Sequence, residues 1–306
     1  MFQSLAEIIE VQKKTKLPVW KIIQEDDCKE QGISLEESFQ KMKVMYEAMA
    51  LADKQYDASL CSASGLVGKE GAKLAAARER GSLLCGDFIG LVMEKAIKMG
   101  ESNACMKRIV AAPTAGSCGV VPAVFLSLVE QKHYTQEEMI QALYVAAGVG
   151  GVIASRAFLA GASGGCQAEI GSASSMAAAG VASLDFAGNP SKKVKEGDKV
   201  TEIWEAEVMA HAAALAMKNL LGLVCDPVAG LVEVPCVKRN VLGAVNAMTS
   251  ADLALCGIFS KIPPDEVFDA MKAVGRSMSE DLRETGKGGL AATPTGVLVA
   301  EKLDSF

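Results

Sequence analysis

Thr135-Gln136-Glu137-Glu138-Met139-Ile140-Gln141-Ala142-Leu143-Tyr144-Val145-Ala146-Ala147-Gly148-Val149-Gly150-Gly151-Val152-Ile153-Ala154 is the stretch that decides the fold class. Its first four residues form a capping box, in which Thr and Glu satisfy each other's backbone N–H groups at a helix start. The apolar run that follows, 142–154, is the longest in the chain, glycine-rich, and closely followed by Arg156. A membrane-spanning helix needs roughly 20 apolar residues, so this run reads as a helix buried in protein.

The same grammar recurs on both sides. Ser34-Leu35-Glu36-Glu37 is a second capping box, opening an amphipathic stretch to about Tyr56. Pro264-Asp265 opens a third helix over residues 266–278. No sustained apolar/polar alternation occurs, and no hairpin turn joins β-rich runs. The expected fold is all-α: a compact multi-helix domain with glycine-rich loops at helix N-termini. Residues 1–60, richer in charge, read as an N-terminal helical layer. Residues 61–306 read as the helical catalytic domain, continuous with that layer.

Two kinds of segment interrupt the helices. Residues 189–199 carry four lysines among Asn, Pro, Gly and acidic residues, and read as a charged, mobile, solvated loop. Four joints rich in Gly, Ser and Thr, at 62–68, 113–119, 161–165 and 293–296, each precede a helix-like stretch. There is no internal repeat and no low-complexity tail.

Bulk properties narrow the function classes. Half of the 306 residues are apolar but only 5% are aromatic, so backbones should approach closely. The net charge of −6 gives no basic face for nucleic acid. Mean hydropathy is +0.23, yet no run is long enough to span a bilayer. No secretory signal is visible, so a soluble, cytoplasmic protein is expected. Nine cysteines without disulfide-like spacing leave buried free thiols, a metal site, or both open.

Three of these cysteines have chemistry-bearing surroundings. Cys225 and Cys236 bracket two prolines and a glycine, which prevent a continuous helix and let the chain fold back. Cys166 follows Gly164-Gly165 where a helix would open, and a helix N-terminus stabilises a thiolate. The plainer reading, three small buried hydrophobes, stays open on spacing alone. Glu169 and Glu233 each stand three residues from one of these cysteines, within reach of a metal centre or serving as ordinary caps or surface acids. The 113–119 and 62–69 joints present hydroxyls at helix starts, suited to a carboxylate or phosphate or simply to tight turns. His133 reads as exposed and His211 as a satisfied helix histidine. No Gly-x-Ser-x-Gly elbow supports a serine hydrolase.

A resemblance goes further. Ala111-Ala112-Pro113-Thr114-Ala115-Gly116, Gly165-Cys166-Gln167-Ala168-Glu169-Ile170-Gly171-Ser172-Ala173, and Leu223-Val224-Cys225-Asp226-Pro227-Val228-Ala229-Gly230-Leu231-Val232-Glu233-Val234-Pro235-Cys236 are similar to the α part of iron–sulfur L-serine dehydratases. Ser64-Gly65-Leu66 and Gly288-Gly289-Leu290-Ala291-Ala292-Thr293-Pro294-Thr295-Gly296 fit as well. The resemblance implies a 4Fe–4S cluster held by Cys166, Cys225 and Cys236, with one iron open as a Lewis acid. It implies L-serine as substrate, its carboxylate held by Ser64, Gly65, Thr114, Ala115, Gly116 and Ser117. The products are pyruvate and ammonia. The base is Glu169, Lys69 or a histidine of a partner.

Family members also need a β part with a Ser-His-Thr-x-Gly-Pro motif, and this chain has none. It therefore resembles the α half of a heteromer, with a β subunit as partner. Alternatives are a non-catalytic iron–sulfur or redox-sensing subunit, and a dehydratase for threonine or another hydroxy acid. Pyridoxal-phosphate chemistry would need a Schiff-base lysine, usually on an α/β scaffold, for which no strand pattern exists. Cys118 has no assigned role.

Overall fold

The Thr135 capping box forms as its residues dictate. Glu138 N–H donates to Thr135 Oγ1 at 3.2 Å, and Thr135 N–H donates to Glu138 Oε2 at 2.7 Å. In the computed structural model, which describes residues 2–196 and 199–304, this box starts one helix of a helical assembly. The first helices are α1 (Leu5–Thr15), α2 (Val19–Gln31), α3 (Leu35–Lys54), α4 (Glu70–Glu79), α5 (Gly86–Ala104) and α6 (Val120–Lys132). Next come α7 (Gln136–Arg156), the single turn α8 (Gly161–Gly164) and α9 (Cys166–Leu184). After a hairpin follow α10 (Glu205–Lys218), α11 (Cys236–Leu255), α12 (Pro264–Ser277) and α13 (Pro294–Asp304). The fold is all-α apart from that hairpin.

Helix α9 is the axis of the core. Every residue from Cys166 to Ser183 is buried, and α6, α7, α10 and α11 pack around it. Its run of Ala, Gly and Ser makes this possible, because small side chains let four neighbours approach one backbone. A Cβ on Gly180 would lie 2.6 Å from Phe125 Cζ and 2.9 Å from the Ala142 carbonyl oxygen. Two of its buried hydroxyls are used across the contacts: Ser174 donates to the Gly243 carbonyl at 2.8 Å and Ser175 to that of Ala213 at 2.9 Å. Among the described residues α7 is the one helix long and apolar enough to cross a membrane, and 61% of its apolar window is buried in this core.

The N-terminal helices join the same core. Leu5, Ile8 and Val19 are buried in the main hydrophobic cluster, and α1 and α2 contact α10 and α7. Glu205, 1% exposed, fastens them. Its carboxylate accepts from Gln12 Nε2 and Val19 N–H, both at 2.9 Å, and from the Ser183 hydroxyl at 2.5 Å.

One sequence expectation is corrected. The segment read as a charged loop at 189–199 is mostly strand: β1 (Ser191–Glu196) pairs antiparallel with β2 (Lys199–Trp204), Ser191 opposite Trp204. Residues 197 and 198 lie outside the described residues. Among the described residues, the side chains at 191–194 and 200–204 are exposed or half-exposed and bury no continuous face, so no apolar alternation marks the strands.

Burial pushes the Glu205 carboxyl up to about 6, against the hydrogen bonds it accepts. A carboxyl raised in the folded state binds a proton there more readily than in the unfolded chain, so stability falls as pH rises from its usual 4.5 through about 6. Urea unfolding of wild type and Glu205→Gln across that range should show wild type losing about 2 kcal/mol relative to the variant. A pH-independent difference would contradict this origin.

Candidate functional site

The N-termini of α9 and α11 and the loops around them bring the cysteines together. Cys166 is the first residue of α9, and Gln167 N–H donates to the Leu223 carbonyl at 2.9 Å, drawing in the strand-like segment before Cys225. Cys225 is fixed on its other side: its N–H donates to the Leu282 carbonyl at 2.8 Å, and Glu284 N–H donates to the Cys225 carbonyl at 2.7 Å. The chain then folds back through a turn at Val228–Gly230, closed by Val228 N–H to the Val234 carbonyl at 2.9 Å, and delivers Cys236 to the start of α11. The prolines and glycine thus have the expected fold-back effect.

All three thiols are free and buried, at 1%, 2% and 5% exposure. The sulfurs of Cys166 and Cys225 and a Glu169 carboxylate oxygen lie within 4.8 Å of one another. A hydrogen bond from Cys225 is the main reason the Cys166 thiol sits below its usual value, outweighing burial with help from Arg239. Cys225 holds the shared proton and is raised correspondingly. Burial, then the charges of Cys166 and Glu169, push the Cys236 thiol up to about 12. Cys236 is outside the tightest group but within its electrostatic field.

Glu169, one turn into α9, lines this centre, and the 113–119 joint packs on it. Thr114 Oγ1 donates to Glu169 Oε1 at 2.5 Å, and a Cβ on Gly116 would lie 2.7 Å from that oxygen. Burial raises the Glu169 carboxyl, the Thr114 hydrogen bond opposes it, and the Glu284 charge adds to it. Asn240 on α11 clamps the joint, donating to the Gly116 carbonyl and accepting from Gly119 N–H, both at 2.8 Å. Among the described residues no hydrogen bond uses the N–H groups of Ala115, Gly116 or Ser117.

The 62–68 joint reaches the cysteine loop by a different route. Ser62 donates to Glu233 Oε2 at 2.8 Å and Ser64 donates to the same oxygen. Glu233 therefore ties the joint to the loop, while Glu169 is the acid beside the thiols. Gly65 adopts φ 74 at an exposed turn. Lys69 is the exposed N-cap of α4, and no hydrogen bond or ion pair joins it to the cysteines. The first N–H groups of α4 are already taken, since Glu101 accepts from Glu70 N–H at 2.7 Å and Gly71 N–H at 3.1 Å. In the 62–69 joint, among the described residues, no hydrogen bond uses the N–H groups of Ala63, Ser64, Gly68 or Lys69.

Sequence reasoning missed Arg239. It sits on α11 one turn after Cys236, a spacing that could have flagged it. Its Nη1 donates to Cys166 Sγ at 3.3 Å and to the Val224 carbonyl at 2.8 Å, and its Nη2 to Asp226 Oδ1 at 2.8 Å. Asp226 Oδ2 in turn accepts from Leu290 N–H at 2.8 Å, attaching the glycine-rich segment before α13. The expected satisfied His211 is corrected: its ring stacks on Phe259 at 4.4 Å, and its Nδ1 is buried without a hydrogen-bond partner.

With this geometry in hand, comparison with known proteins decides the family. The model of the serine dehydratase alpha chain family matches residues 14–197 and 204–291. The chain belongs to the serine dehydratase alpha chain family. It is 44% identical over 303 residues to a probable L-serine dehydratase alpha chain of Bacillus subtilis, covering 99% of this chain and 95% of that one. It is 39% identical to the L-serine dehydratase alpha chain of Peptoniphilus asaccharolyticus, covering 97% and 96%. An L-serine dehydratase of Helicobacter pylori is 40% identical over 68% of this chain but only 42% of its own length. The serine dehydratase motifs at 111–116, 165–173 and 223–236 all fall within the matched residues.

Arg239 and Asp226 are a mostly buried pair, at 13% and 4% side-chain exposure. Arg239→Met strands the Asp226 carboxylate and should cost about 3–5 kcal/mol in urea unfolding. Arg239→Lys, which keeps the charge but not the fork, should cost less. Unchanged stability in both would contradict the clamp.

Proposed function

We propose that this chain is the α subunit of an L-serine dehydratase, a lyase that converts L-serine to pyruvate and ammonia on a 4Fe–4S cluster. The observation that carries the reading is the convergence of Cys166, Cys225 and Glu169 within 4.8 Å beside the buried Cys236. The donor set fits the cluster. Thiolates suit iron–sulfur centres, and the three thiols are free rather than paired in disulfides. A Cβ on Gly161 would lie 2.9 Å from Cys225 Sγ, so glycine keeps space open beside that ligand. Cys166, Cys225 and Cys236 would hold three irons, and the cluster, when bound, supplies a Lewis-acidic fourth iron for the departing hydroxyl.

This chain's residues do the rest. The unused N–H groups at 115–117, beside the Thr114 and Ser117 hydroxyls, suit the substrate carboxylate. Ser64 and Gly65, tied to the cysteine loop through Glu233, border the same carboxylate. Glu169 is placed to take the α-proton: burial raises its basicity and Thr114 fixes its orientation. Loss of that proton and of the β-hydroxyl leaves aminoacrylate, which water converts to pyruvate and ammonia. Lys69, exposed at the N-cap of α4, is the weaker candidate for the base.

The alpha-chain names of the relatives support a β subunit that completes the site, including a histidine this chain would not supply. Nine free cysteines suit a reducing cytoplasm.

Cys236→Ser should lower iron and sulfide content together with pyruvate formation. The loss in activity should be at least the roughly 10–100-fold seen when a supporting residue is removed from a metal site. A fully active variant with normal iron would contradict the assignment. Aeration should abolish wild-type activity, and iron with a reductant should restore it; activity that survives prolonged aeration would argue against an open iron.

A further inference from the structure

Glu284 was not expected from the sequence, and its backbone is the first sign that it matters. Its φ is 66, in the left-handed region that non-glycine residues uncommonly occupy, at a cost of order 1–3 kcal/mol. Cys225 holds it there. Cys225 N–H donates to the Leu282 carbonyl at 2.8 Å and Glu284 N–H donates back to the Cys225 carbonyl at 2.7 Å, strapping the two segments in parallel.

The strap sets the side chain at the cysteine centre. A Cβ built on Gly161 would lie 2.9 Å from Cys225 Sγ and 3.3 Å from Glu284 Oε2, so thiol and carboxylate flank the same small space. The other acids nearby are engaged: Asp226 by Arg239 and Leu290, Glu233 by Ser62 and Ser64, Glu169 by Thr114. Among the described residues, no hydrogen bond or ion pair engages the Glu284 carboxylate. It is half-buried, held in a strained conformation, and available.

An α-amino acid brings two charged ends to such a site. The carboxylate end has the free N–H groups at 115–117. The ammonium end needs an acceptor, and hydrogen bonds between charged groups are about twice as strong as neutral ones. We propose that Glu284 is the substrate-binding residue that receives the α-ammonium, making the site select amino acids over hydroxy acids. This rests on the serine dehydratase reading above. It assigns proton transfer to Glu169 and substrate selection to Glu284. Cys225 is the element common to both, since its backbone holds Glu284 in place.

The test compares wild type, Glu284→Gln and Glu284→Gly in the assembled holoenzyme. Iron content and the visible spectrum are recorded alongside kinetics. The Gln variant keeps the shape without the charge, and the Gly variant also relieves the strained backbone. Both should retain iron, raise KM for L-serine by about 10–100-fold, and change kcat much less. Inhibition by 3-hydroxypropanoate, which has the carboxylate and hydroxyl but no amine, should be unchanged. An unaltered KM would overturn the assignment, as would equal weakening of 3-hydroxypropanoate binding. Loss of iron in both variants would make Glu284 a structural support and overturn it too. A wild type that holds iron but does not dehydrate serine would instead defeat the functional reading itself, and this assignment with it.

Discussion

The burial of α9 from Cys166 to Ser183 is the constraint on which the rest of this molecule depends. A helix enclosed on every side needs neighbours that approach its backbone closely, and only a run of Ala, Gly and Ser permits that. Larger residues would push α6 and α7 outward, as the contact of Gly180 with Phe125 and the Ala142 carbonyl makes plain. The close fit also forces polar economy: Asn246 donates to Ser174 and to the Ala216 carbonyl, both at 2.9 Å, joining three helices in the dry interior. Because α9 cannot shift, its first residue, Cys166, occupies a fixed point.

Around that point the chain gathers segments far apart in sequence. Helix α11 does most of the fastening, with Cys236 at its start and Arg239 and Asn240 one turn on. Arg239 contacts all three cysteine-bearing segments directly or through Asp226, and Asn240 holds the 113–119 joint. The result is a buried group of thiols and carboxylates with the Arg239 guanidinium beside it. The thiols there resist ionisation: Cys225 through the proton it shares with Cys166 and through burial, Cys236 through burial first and then the charges of Cys166 and Glu169. A metal centre held there would displace the thiol protons and join the three segments, coupling ligand binding to local order.

Much of this was legible in the sequence, because the signals were local. The capping box at Thr135, the helix break between Cys225 and Cys236, and the glycine-rich joints all follow from a few adjacent residues. What was not legible depends on tertiary contact. The hairpin at 191–204 buries no continuous face and so leaves no periodic trace. The choice between Glu169 and Glu233 was undecidable by spacing, since each stands three residues from a cysteine; packing gives one to the thiols and the other to Ser62 and Ser64. Glu101 caps α4 from 31 residues away, which no local pattern reveals, and it takes the first N–H groups of that helix. Glu284 carries no motif, and only its forced backbone conformation draws notice.

The most direct test of the central claim is an anaerobic titration of the reconstituted chain with L-serine, followed by visible absorption alongside iron and sulfide analysis. The account predicts close to four irons per chain and a broad charge-transfer band that L-serine perturbs in a saturable way. A colourless, iron-free protein after careful reconstitution would contradict it, and would leave Cys166, Cys225 and Cys236 as residues of the core.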